Sequence, residues 1–353
     1  MSVRPDALWY TRCAVPNSFG LAMSHGWVEN RLAGLGVPVR SIKEADDPKI
    51  RESHFDHSQP NSLRYGGASP ALWARSSGRA TRALGLQVTR ESQLLLTRPG
   101  SGIETPKDLK GRRFGLPLWV NQQIDFLRAQ ALRGLENALG IAGLALADVE
   151  IVDFPVQSTF AGEKVHRIPG TETFGPRKLP GANGEILALI RGEVDAIFLH
   201  GATGLQTANL LALDTVVDLA SHPDPLVRAN NGSPIILTMD QALLDSAPDL
   251  PVAVITELLK AEARAAQHPE EVRQIAAREV NVSEYWLWRA YGGDAGLALS
   301  TTLEPEAIAA SQAFAHFLFR HQFIPAPVDV ASWVDPGPLA AARARIAEEA
   351  PAQ

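Results

Sequence analysis

The chain has 353 residues, 45% of them hydrophobic and 20% charged, a composition typical of a globular protein of about two domains. Its 33 Lys and Arg residues against 39 Asp and Glu residues leave a net charge of -6, which argues against nucleic acid as a partner, because neutralising phosphates requires basic residues in excess. The longest apolar runs fall far short of the roughly 20 residues of a membrane-spanning helix, so no membrane partner is expected either.

The first ten residues carry one arginine and one aspartate and have neither the apolar core nor the small-residue cleavage site of a secretory signal. The expected location is therefore the cytoplasm. Cys13 is the single cysteine of the chain, which excludes an intrachain disulfide and a cysteine-based zinc site. A reducing compartment agrees with that count.

Apolar runs of strand length alternate with longer helical patterns, which is typical of an α/β protein with mainly parallel strands. Besides a first strand just before Cys13, strands are predicted at 93–97, 113–116, 150–153, 196–199, 215–219 and 234–238. Helices are predicted at 124–139, 182–191, 250–268, 269–278 and 305–321, with a further helix starting near Asn17. Pro305 suits a first helical turn, and Gly140 is expected to end the helix before it.

The stretch 155–183 is rich in glycine and proline and reads as a long loop. A loop of this length inside a compact domain is uncommon, and it is usually either functional or disordered. A lid over the ligand site is the favoured interpretation, with disorder as the alternative.

Cys13 lies between the first predicted strand and the helix start near Asn17. A lone cysteine is by default a buried, inert, small hydrophobic residue. Here Arg12 precedes it, and a neighbouring cation and a helix N-terminus both favour the reactive thiolate. Position alone leaves both interpretations open.

A polar cluster around His54 combines histidines, an arginine and paired glycines. Arg64 offers a planar fork of donors for an oxyanion, and the N–H groups of Gly66 and Gly67 can approach the anion because no Cβ obstructs them. His54 can hold or exchange a proton near neutral pH. A metal site on His54 and His57 is less favoured because no third ligand is evident. The purely structural alternative is a solvated loop with hydrogen-bonded histidines.

Two further side chains follow predicted strands whose ends should face a cleft. His200 comes directly after strand 196–199, although a histidine there could equally cap a helix or a loop. Trp119 follows strand 113–116 and could stack on an aromatic ring, with ordinary packing as the favoured alternative.

The run DLKGRR at 108–113 and the run GEVDA at 192–196 resemble signatures of type II periplasmic-binding-protein-like chains of the sulfonate and thiamine-precursor branch. The resemblance implies an α/β, two-lobed, periplasmic-binding-protein-like fold with the ligand site in the interlobe cleft. It further implies that residues 1–98 and 217–353 form lobe I and residues 99–216 form lobe II. Ligands of open α/β sheets generally bind beyond the carboxyl ends of strands, which agrees with a cleft site.

Three segments closely resemble the active-site segments of the 2'-hydroxybiphenyl-2-sulfinate desulfinase family in order and spacing: CAVPN at 13–17, HFDHSQP at 54–60 and RYGG at 64–67. The resemblance covers nearly the whole chain, with its specific motifs in the first third. It implies hydrolytic cleavage of an aryl carbon–sulfur bond and release of sulfite, without a metal or an organic cofactor.

The resemblance also implies residue roles: Cys13 as the catalytic thiol, His54 as its acid–base support and Arg64 as the holder of the sulfinate oxygens. Whether the thiol attacks sulfur or protonates the ring carbon stays open. The expected partner is a small aromatic sulfinate or a similar anion, and a monomer is expected because no apolar seam suggests assembly. The other positions assigned to oxyanion or substrate binding are Gly66, Gly67, Asn17, Gln59, His57, Trp119 and His200.

The chain departs from the family at positions that concern the substrate. Ala14 replaces a proline, and His200-Gly201 stand where the family has a tryptophan. A bulky aromatic wall thus becomes smaller and more polar, which predicts a smaller or more polar group beside the sulfur. Two alternatives remain: a binding protein for a sulfonate or aromatic anion, which the missing leader disfavours, and a decarboxylase, since a carboxylate presents a similar pair of oxygens to Arg64.

Overall fold

The computed structural model describes residues 4–157 and 184–349, which form two five-stranded sheets covered by helices. The ten strands of the described chain are β1 (Leu8–Arg12), β2 (Val39–Ser41), β3 (Ser62–Gly66), β4 (Thr81–Gln87), β5 (Gln93–Thr97), β6 (Arg113–Trp119), β7 (Glu150–Val156), β8 (Ala196–His200), β9 (Asp214–Asp218) and β10 (Ile235–Asp240).

The α-helices of the described chain lie before, between and after these strands. They are α1 (Ser18–Ser24), α2 (Trp27–Ala33), α3 (Pro48–Asp56), α4 (Ala68–Ser76), α5 (Phe126–Ile141), α6 (Gly184–Arg191), α7 (Gly201–Leu210), α8 (Pro225–Arg228), α9 (Gln241–Ser246), α10 (Asp249–Gln267), α11 (Pro269–Val280), α12 (Glu284–Ala290), α13 (Pro305–Arg320), α14 (Val330–Trp333) and α15 (Gly337–Glu349). No helix among them is long and apolar enough to cross a membrane.

The first sheet has the order β2-β1-β3-β10-β4 and the second the order β7-β6-β8-β5-β9. In the first sheet β1 is parallel to β2 and β3, whereas β10 is antiparallel to β3 and β4. In the second sheet β6 is parallel to β7 and β8, whereas β5 is antiparallel to β8 and β9. Four of the five strands of each sheet thus run in the same direction, as expected from the sequence, and only β10 and β5 are reversed. The reversed strands β5 and β10 are the ones that follow the two passages of the chain between the sheets.

The chain passes from the first sheet to the second after Gln87 and returns after Asp218, so the α/β, two-lobed architecture is confirmed. The predicted lobe divisions at 98/99 and 216/217 fall just after β5 and within β9, both strands of the second sheet. The lobe boundaries stay a prediction, and sheet membership favours 88–92 and 219–234 for them.

Three hydrophobic clusters lie in the described part of the chain, and the smallest of them packs α6 against the second sheet. The first packs α1, α2, α10 and α15 on one face of the first sheet. The second runs from Ala71 and Leu72 of α4, through Phe314 and Phe317 of α13, to Leu135 of α5. Because this second cluster contains side chains of both lobes, the lobes share a packed apolar interior.

Several predicted elements extend further than their sequence patterns indicated. β6 and β7 each run three residues beyond the predicted ends, so Pro155 and Val156 belong to a strand rather than to a loop. Helix α5 continues to Ile141, past Gly140, and the chain turns at Gly143, which has a φ of 70°. The predicted lid lies outside the described residues from residue 158 to residue 183.

Candidate active site

Parallel pairing of β1 and β3 brings the CAVPN and RYGG motifs together at the carboxyl ends of these two strands. Thr11 pairs with Arg64 in the register of these strands, and the backbone N–H of Cys13 donates to the carbonyl of Tyr65 over 3.1 Å. Cys13 therefore leaves β1 beside the end of β3. Ends of adjacent parallel strands are the usual position of ligand sites in α/β proteins.

Helix α3 brings the second motif to the same place. Asp47 accepts a hydrogen bond from the Lys49 N–H and Pro48 occupies the first turn, so the helix start is well specified. The imidazole of His54, in the last turn of α3, then lies with Nε2 at 4.0 Å from the Cys13 sulfur.

Three donors or proton carriers surround the sulfur of the half-buried Cys13. The Gly67 N–H donates to Sγ over 3.4 Å, Arg64 Nη2 lies 3.7 Å from Sγ, and His54 Nε2 lies 4.0 Å away. A cation and a backbone N–H at a sulfur stabilise its thiolate, the form that reacts as a nucleophile. The three sequence motifs thus converge on one atom.

Arg64 is 1% exposed and its guanidinium is fixed on both sides. Nε donates to the His54 carbonyl over 3.0 Å and Nη1 to the Gly67 carbonyl over 2.9 Å. Burial lowers the pKa of Arg64, and the neighbouring thiol of Cys13 opposes that shift. The remaining nitrogen, Nη2, is the one aimed at the sulfur.

His54 is 6% exposed, and its Nδ1 lies 2.6 Å from the hydroxyl oxygen of Thr11. Burial holds the pKa of His54 well below its ordinary value of 6.5, and the positive charges of Arg64 and Lys43 and the nearby His57 lower it further. The imidazole is therefore neutral at physiological pH. In the tautomer with the ring proton on Nδ1, that N–H donates to Thr11 and Nε2 is the proton acceptor that faces the thiol.

The two glycines after Arg64 leave room for the sulfur and for the helix behind it. A Cβ on Gly66 would overlap the sulfur of Cys13, and a Cβ on Gly67 would lie 2.8 Å from the side-chain amide of Asn231. Gly67 is also the N-cap of α4, whose next two N–H groups, of Ala68 and Ser69, donate to Asn231. The thiol therefore lies at the positive end of a nine-residue helix.

Arg12 does not supply the cation that its position next to Cys13 suggested. Its two terminal nitrogens form a buried ion pair with the Glu279 carboxylate at 2.6 and 2.5 Å. Successive side chains of a strand point to opposite faces, so Arg12 shares a face with Tyr10 and the first hydrophobic cluster, whereas Thr11 shares one with Arg64. The cation at the sulfur is Arg64.

Asn17 and His57 are occupied by structural contacts. Asn17 caps α1, accepting from the Gly20 N–H and donating to the Val15 carbonyl, each over 2.7 Å. His57 is in a left-handed conformation, and its ring nitrogens contact the hydroxyls of Thr238 at 2.8 Å and Ser62 at 3.2 Å. Their assigned roles in binding stay predictions, and the contacts give both residues a supporting task.

Gln59 and Trp119 lie on opposite lobes. The Gln59 N–H donates to the Ser53 hydroxyl over 2.8 Å, and its side-chain amide reaches the Pro60 carbonyl at 3.4 Å. Trp119 is the half-buried last residue of β6, and its backbone N–H donates to Asp125 over 2.7 Å. Neither contact places these side chains at the sulfur, and stacking by Trp119 stays a prediction.

His200 ends β8 in the second lobe, and its Nδ1 lies 2.8 Å from a carboxylate oxygen of Glu91. The sequence patterns did not single out Glu91, Thr11 or Asn231. The run NNGSP at 230–234 carried a turn signal that could have marked Asn231, whereas nothing in the sequence pointed to Glu91. In residues 4–157 and 184–349 no three His, Cys, Asp or Glu side chains converge as a metal site.

The comparisons with known proteins agree with this geometry at the level of the fold. No family model matches the chain, and a search of curated proteins found no match. A crystal structure of the desulfurization enzyme DszB is similar to the chain at a TM-score of 0.72 and 24% identity, covering 97% of this chain and 100% of that one. A cysteine-to-serine variant of DszB in complex with biphenyl-2-sulfinic acid gives 0.70 at the same identity and coverage.

Sulfonate-binding proteins are similar to nearly the same degree. The periplasmic aliphatic sulphonate binding protein SsuA from Escherichia coli has a TM-score of 0.67 and 16% identity, covering 94% of this chain and 92% of that one. A putative SsuA from Methylobacillus flagellatus KT has a TM-score of 0.70 and 15% identity, covering 98% and 96%. The chain has the fold of DszB and of SsuA. The resemblance noted in the sequence is thus confirmed as a likeness of fold.

Proposed function

We propose that the chain is a desulfinase-like hydrolase that cleaves the C–S bond of an aryl sulfinate, or of a closely related organosulfur oxyanion, and releases sulfite. The observation that carries the proposal is the convergence of a guanidinium, an imidazole and a helix N-terminal N–H within 4.0 Å of the one sulfur atom of Cys13. A cysteine that only fills space in the core does not require these three polar groups around its sulfur.

Oxyanion binding is assigned to Arg64 and to the start of α4. Arg64 Nη2 and the Gly67 N–H both reach the sulfur of Cys13, so a sulfinate beside that sulfur lies within reach of the same donors. Donors fixed before the substrate arrives stabilise developing negative charge without reorganising. Gly66 contributes because it has no side chain, and this leaves space for the sulfur of Cys13.

Two routes of C–S bond cleavage use these residues. In one, the Cys13 thiol gives its proton to the ring carbon, the C–S electron pair returns to the ring, and the sulfur dioxide released adds water to form sulfite while a proton returns to the thiolate. In the other, the thiol first gives its proton to Nε2 of His54, the thiolate attacks sulfur, and the aryl group leaves with the C–S electron pair and takes that proton from His54. Water then cleaves the Cys13–sulfur bond, which gives sulfite and returns a proton to the thiolate. The lowered pKa of His54 makes its protonated form a strong acid, as the second route requires.

A second candidate is a binding protein for a sulfonate or another aromatic anion. The TM-scores of the two SsuA structures, close to those of DszB, favour it. In that case Arg64 and the glycines hold the anion and Cys13 is incidental. A decarboxylase would use the same donors on a carboxylate.

The deciding experiment is product analysis on a panel of aryl sulfinates, with sulfite, arene and carbon dioxide all measured. We expect sulfite and arene in equal amounts from the wild type, and none from Cys13→Ser, which should still bind the sulfinates. If the wild type binds the sulfinates but releases no sulfite, the binding-protein function replaces the hydrolase. Carbon dioxide released from aryl carboxylates would identify a decarboxylase. The predicted cytoplasmic location and monomeric state are separate proposals, tested by fractionation and by sedimentation.

A further inference from the structure

The turn that carries the thiol, residues 13–17 between β1 and α1, is held at both ends by hydrogen bonds. At its start the Cys13 N–H donates to the Tyr65 carbonyl over 3.1 Å. Near its far end the Pro16 carbonyl accepts a hydrogen bond from Nε2 of Gln87 over 2.8 Å. Gln87 belongs to β4, so a strand that contributes none of the three motifs reaches the backbone of the thiol-bearing turn.

The side chain of Gln87 has a fixed orientation. Gln87 is 2% exposed and ends β4, where its backbone pairs with Ile235 of β10. Its Oε1 accepts a hydrogen bond from the hydroxyl of Tyr65 over 3.3 Å. The Pro16 carbonyl can only accept a hydrogen bond, so the amide nitrogen must face Pro16 and the amide oxygen must face Tyr65.

The hydroxyl of Tyr65 is held in turn by a segment from the far end of the chain. It lies 3.3 Å from Oγ1 of Thr301, and the N–H and Oγ1 of Thr301 donate to Oε1 of Glu262 over 2.8 and 2.6 Å. A Cβ on Gly85 would overlap the methyl group of Thr301, so this glycine of β4 lets the segment approach. A continuous line of contacts thus runs from Glu262 in α10 to the turn.

Tyr65 acts on both ends of the turn. Its carbonyl accepts from the Cys13 N–H, and its hydroxyl orients the glutamine amide that holds Pro16. Successive strand residues face opposite sides of a sheet, so Arg64 lies at the sulfur while the ring of Tyr65 lies in the first hydrophobic cluster. The donors at the sulfur and the bonds to the backbone of the turn are therefore two separate sets of contacts.

We propose that Gln87, oriented by Tyr65, is a positioning residue for the thiol of Cys13. It holds the far end of the turn and so keeps the sulfur within reach of its donors. The effect of Gln87 on turnover rests on the proposed function, whereas its effect on the reactivity of the thiol does not.

Gln87→Met tests the role, because it keeps an unbranched side chain of similar length and removes both hydrogen bonds. We expect kcat for sulfite release to fall about tenfold while KM stays within about twofold, because the thiol is displaced and the oxyanion donors keep their own contacts. Alkylation of Cys13 by iodoacetamide at a fixed pH should slow about threefold, since the sulfur moves away from its donors.

Gln312→Met is the matched control. The Gln312 amide in α13 likewise joins two backbone groups, donating to the Val328 carbonyl over 2.9 Å and accepting from the Val330 N–H over 2.8 Å. This variant should lose stability as Gln87→Met does, which thermal unfolding measures. Its kcat and its alkylation rate should stay at the wild-type values.

Tyr65→Phe is a milder variant that removes only the hydroxyl group. We expect it to lower kcat and the alkylation rate about two- to threefold, because the amide of Gln87 loses one of its two partners. Since Tyr65 acts through Gln87, adding Tyr65→Phe to Gln87→Met should cause no further loss of either rate. Losses that add up in the double variant would contradict this order of contacts. If Gln87→Met does not fold, Tyr65→Phe decides by itself.

The outcomes separate this inference from the proposed function. Unchanged kcat and alkylation rates in folded Gln87→Met and Tyr65→Phe, a faster alkylation in either variant, or an equal loss of kcat in Gln312→Met would overturn the positioning role while the hydrolase stands. If the wild type releases no sulfite from any aryl sulfinate, the proposed function fails, and the alkylation rates alone decide the role of Gln87.

Discussion

Arg64 Nη2 lies 3.7 Å from the sulfur of Cys13, and the rest of the guanidinium is held by the carbonyls of His54 and Gly67. The arginine cannot turn away from the sulfur without breaking both bonds to these carbonyls. The cation is therefore in place before any substrate binds. This fixed pair is the basis for the first prediction.

Replacing Arg64 by glutamine should slow alkylation of Cys13 by iodoacetamide about tenfold at a fixed pH, because the thiolate loses a neighbouring cation. Arg64→Lys should lie between the variant and the wild type, since it keeps the charge but loses the planar fork. Arg191→Gln, at an exposed arginine, serves as the control. An unchanged alkylation rate in a folded Arg64→Gln protein would contradict the electrostatic role.

Gly66→Ala should abolish turnover and lower the thermal stability, because the new methyl group and the Cys13 sulfur would occupy the same space. Overpacking of this kind costs about 1–3 kcal/mol. Gly140→Ala, in a helix with nothing within 4 Å of the added methyl group, should be neutral or stabilising. Differential scanning calorimetry and sulfite assays of the two variants give the comparison, and an active Gly66→Ala protein would argue against the described thiol position.

Burial of His54 makes the free energy of unfolding depend on pH below about pH 6.5. Its folded-state pKa lies well below 6.5 because burial disfavours the charged ring, so below about pH 6.5 the unfolded chain binds the proton and the folded chain does not. Stability then falls as pH falls, by up to about 1.4 kcal/mol per pH unit from this one group. Urea unfolding of His54→Gln between pH 5 and 7 should show a flatter slope than the wild type. His316→Gln, at an exposed histidine, should keep the wild-type slope.

The ion pair of Arg12 with Glu279 is predicted to support the fold and to leave the chemistry alone. Arg12→Met should cost about 3–5 kcal/mol, because it strands a buried carboxylate. The double variant Arg12→Met, Glu279→Met should recover most of that loss in chemical denaturation. Its Cys13 should alkylate at the wild-type rate, and a slowed rate would restore Arg12 to a role at the thiol.

Much of the fold was accessible from the sequence because its strands are regular apolar runs. β5 lies where the pattern of residues 93–97 placed it, and β8 and β10 are within two residues of their predictions. β3 was not predicted, since Ser62 to Gly66 holds two apolar side chains beside a buried arginine. The reversed direction of β5 and β10 was not predicted, because a local pattern carries no information on which way the chain crosses between sheets.

For the site, the motifs identified the residues and the structure added their orientation. Cys13, His54 and Arg64 were found from short motifs, and they converge. Arg12 was misjudged because adjacency in sequence places strand residues on opposite faces. Glu91 could not be found, since its partner His200 lies 109 positions away and only the folded chain brings them together.

The position of β10 between β3 and β4 affects how the protein is made. The ribosome releases β1 to β4 early, yet the strand that joins β3 to β4 emerges only with residues 235–240, after the whole second sheet. Until then β3 and β4 expose backbone edges that lack their β10 partner, and such edges are templates for association with other chains. The second lobe can complete its own sheet during synthesis, while the lobe that carries the thiol must wait, and truncation before residue 235 should yield a protein prone to aggregation.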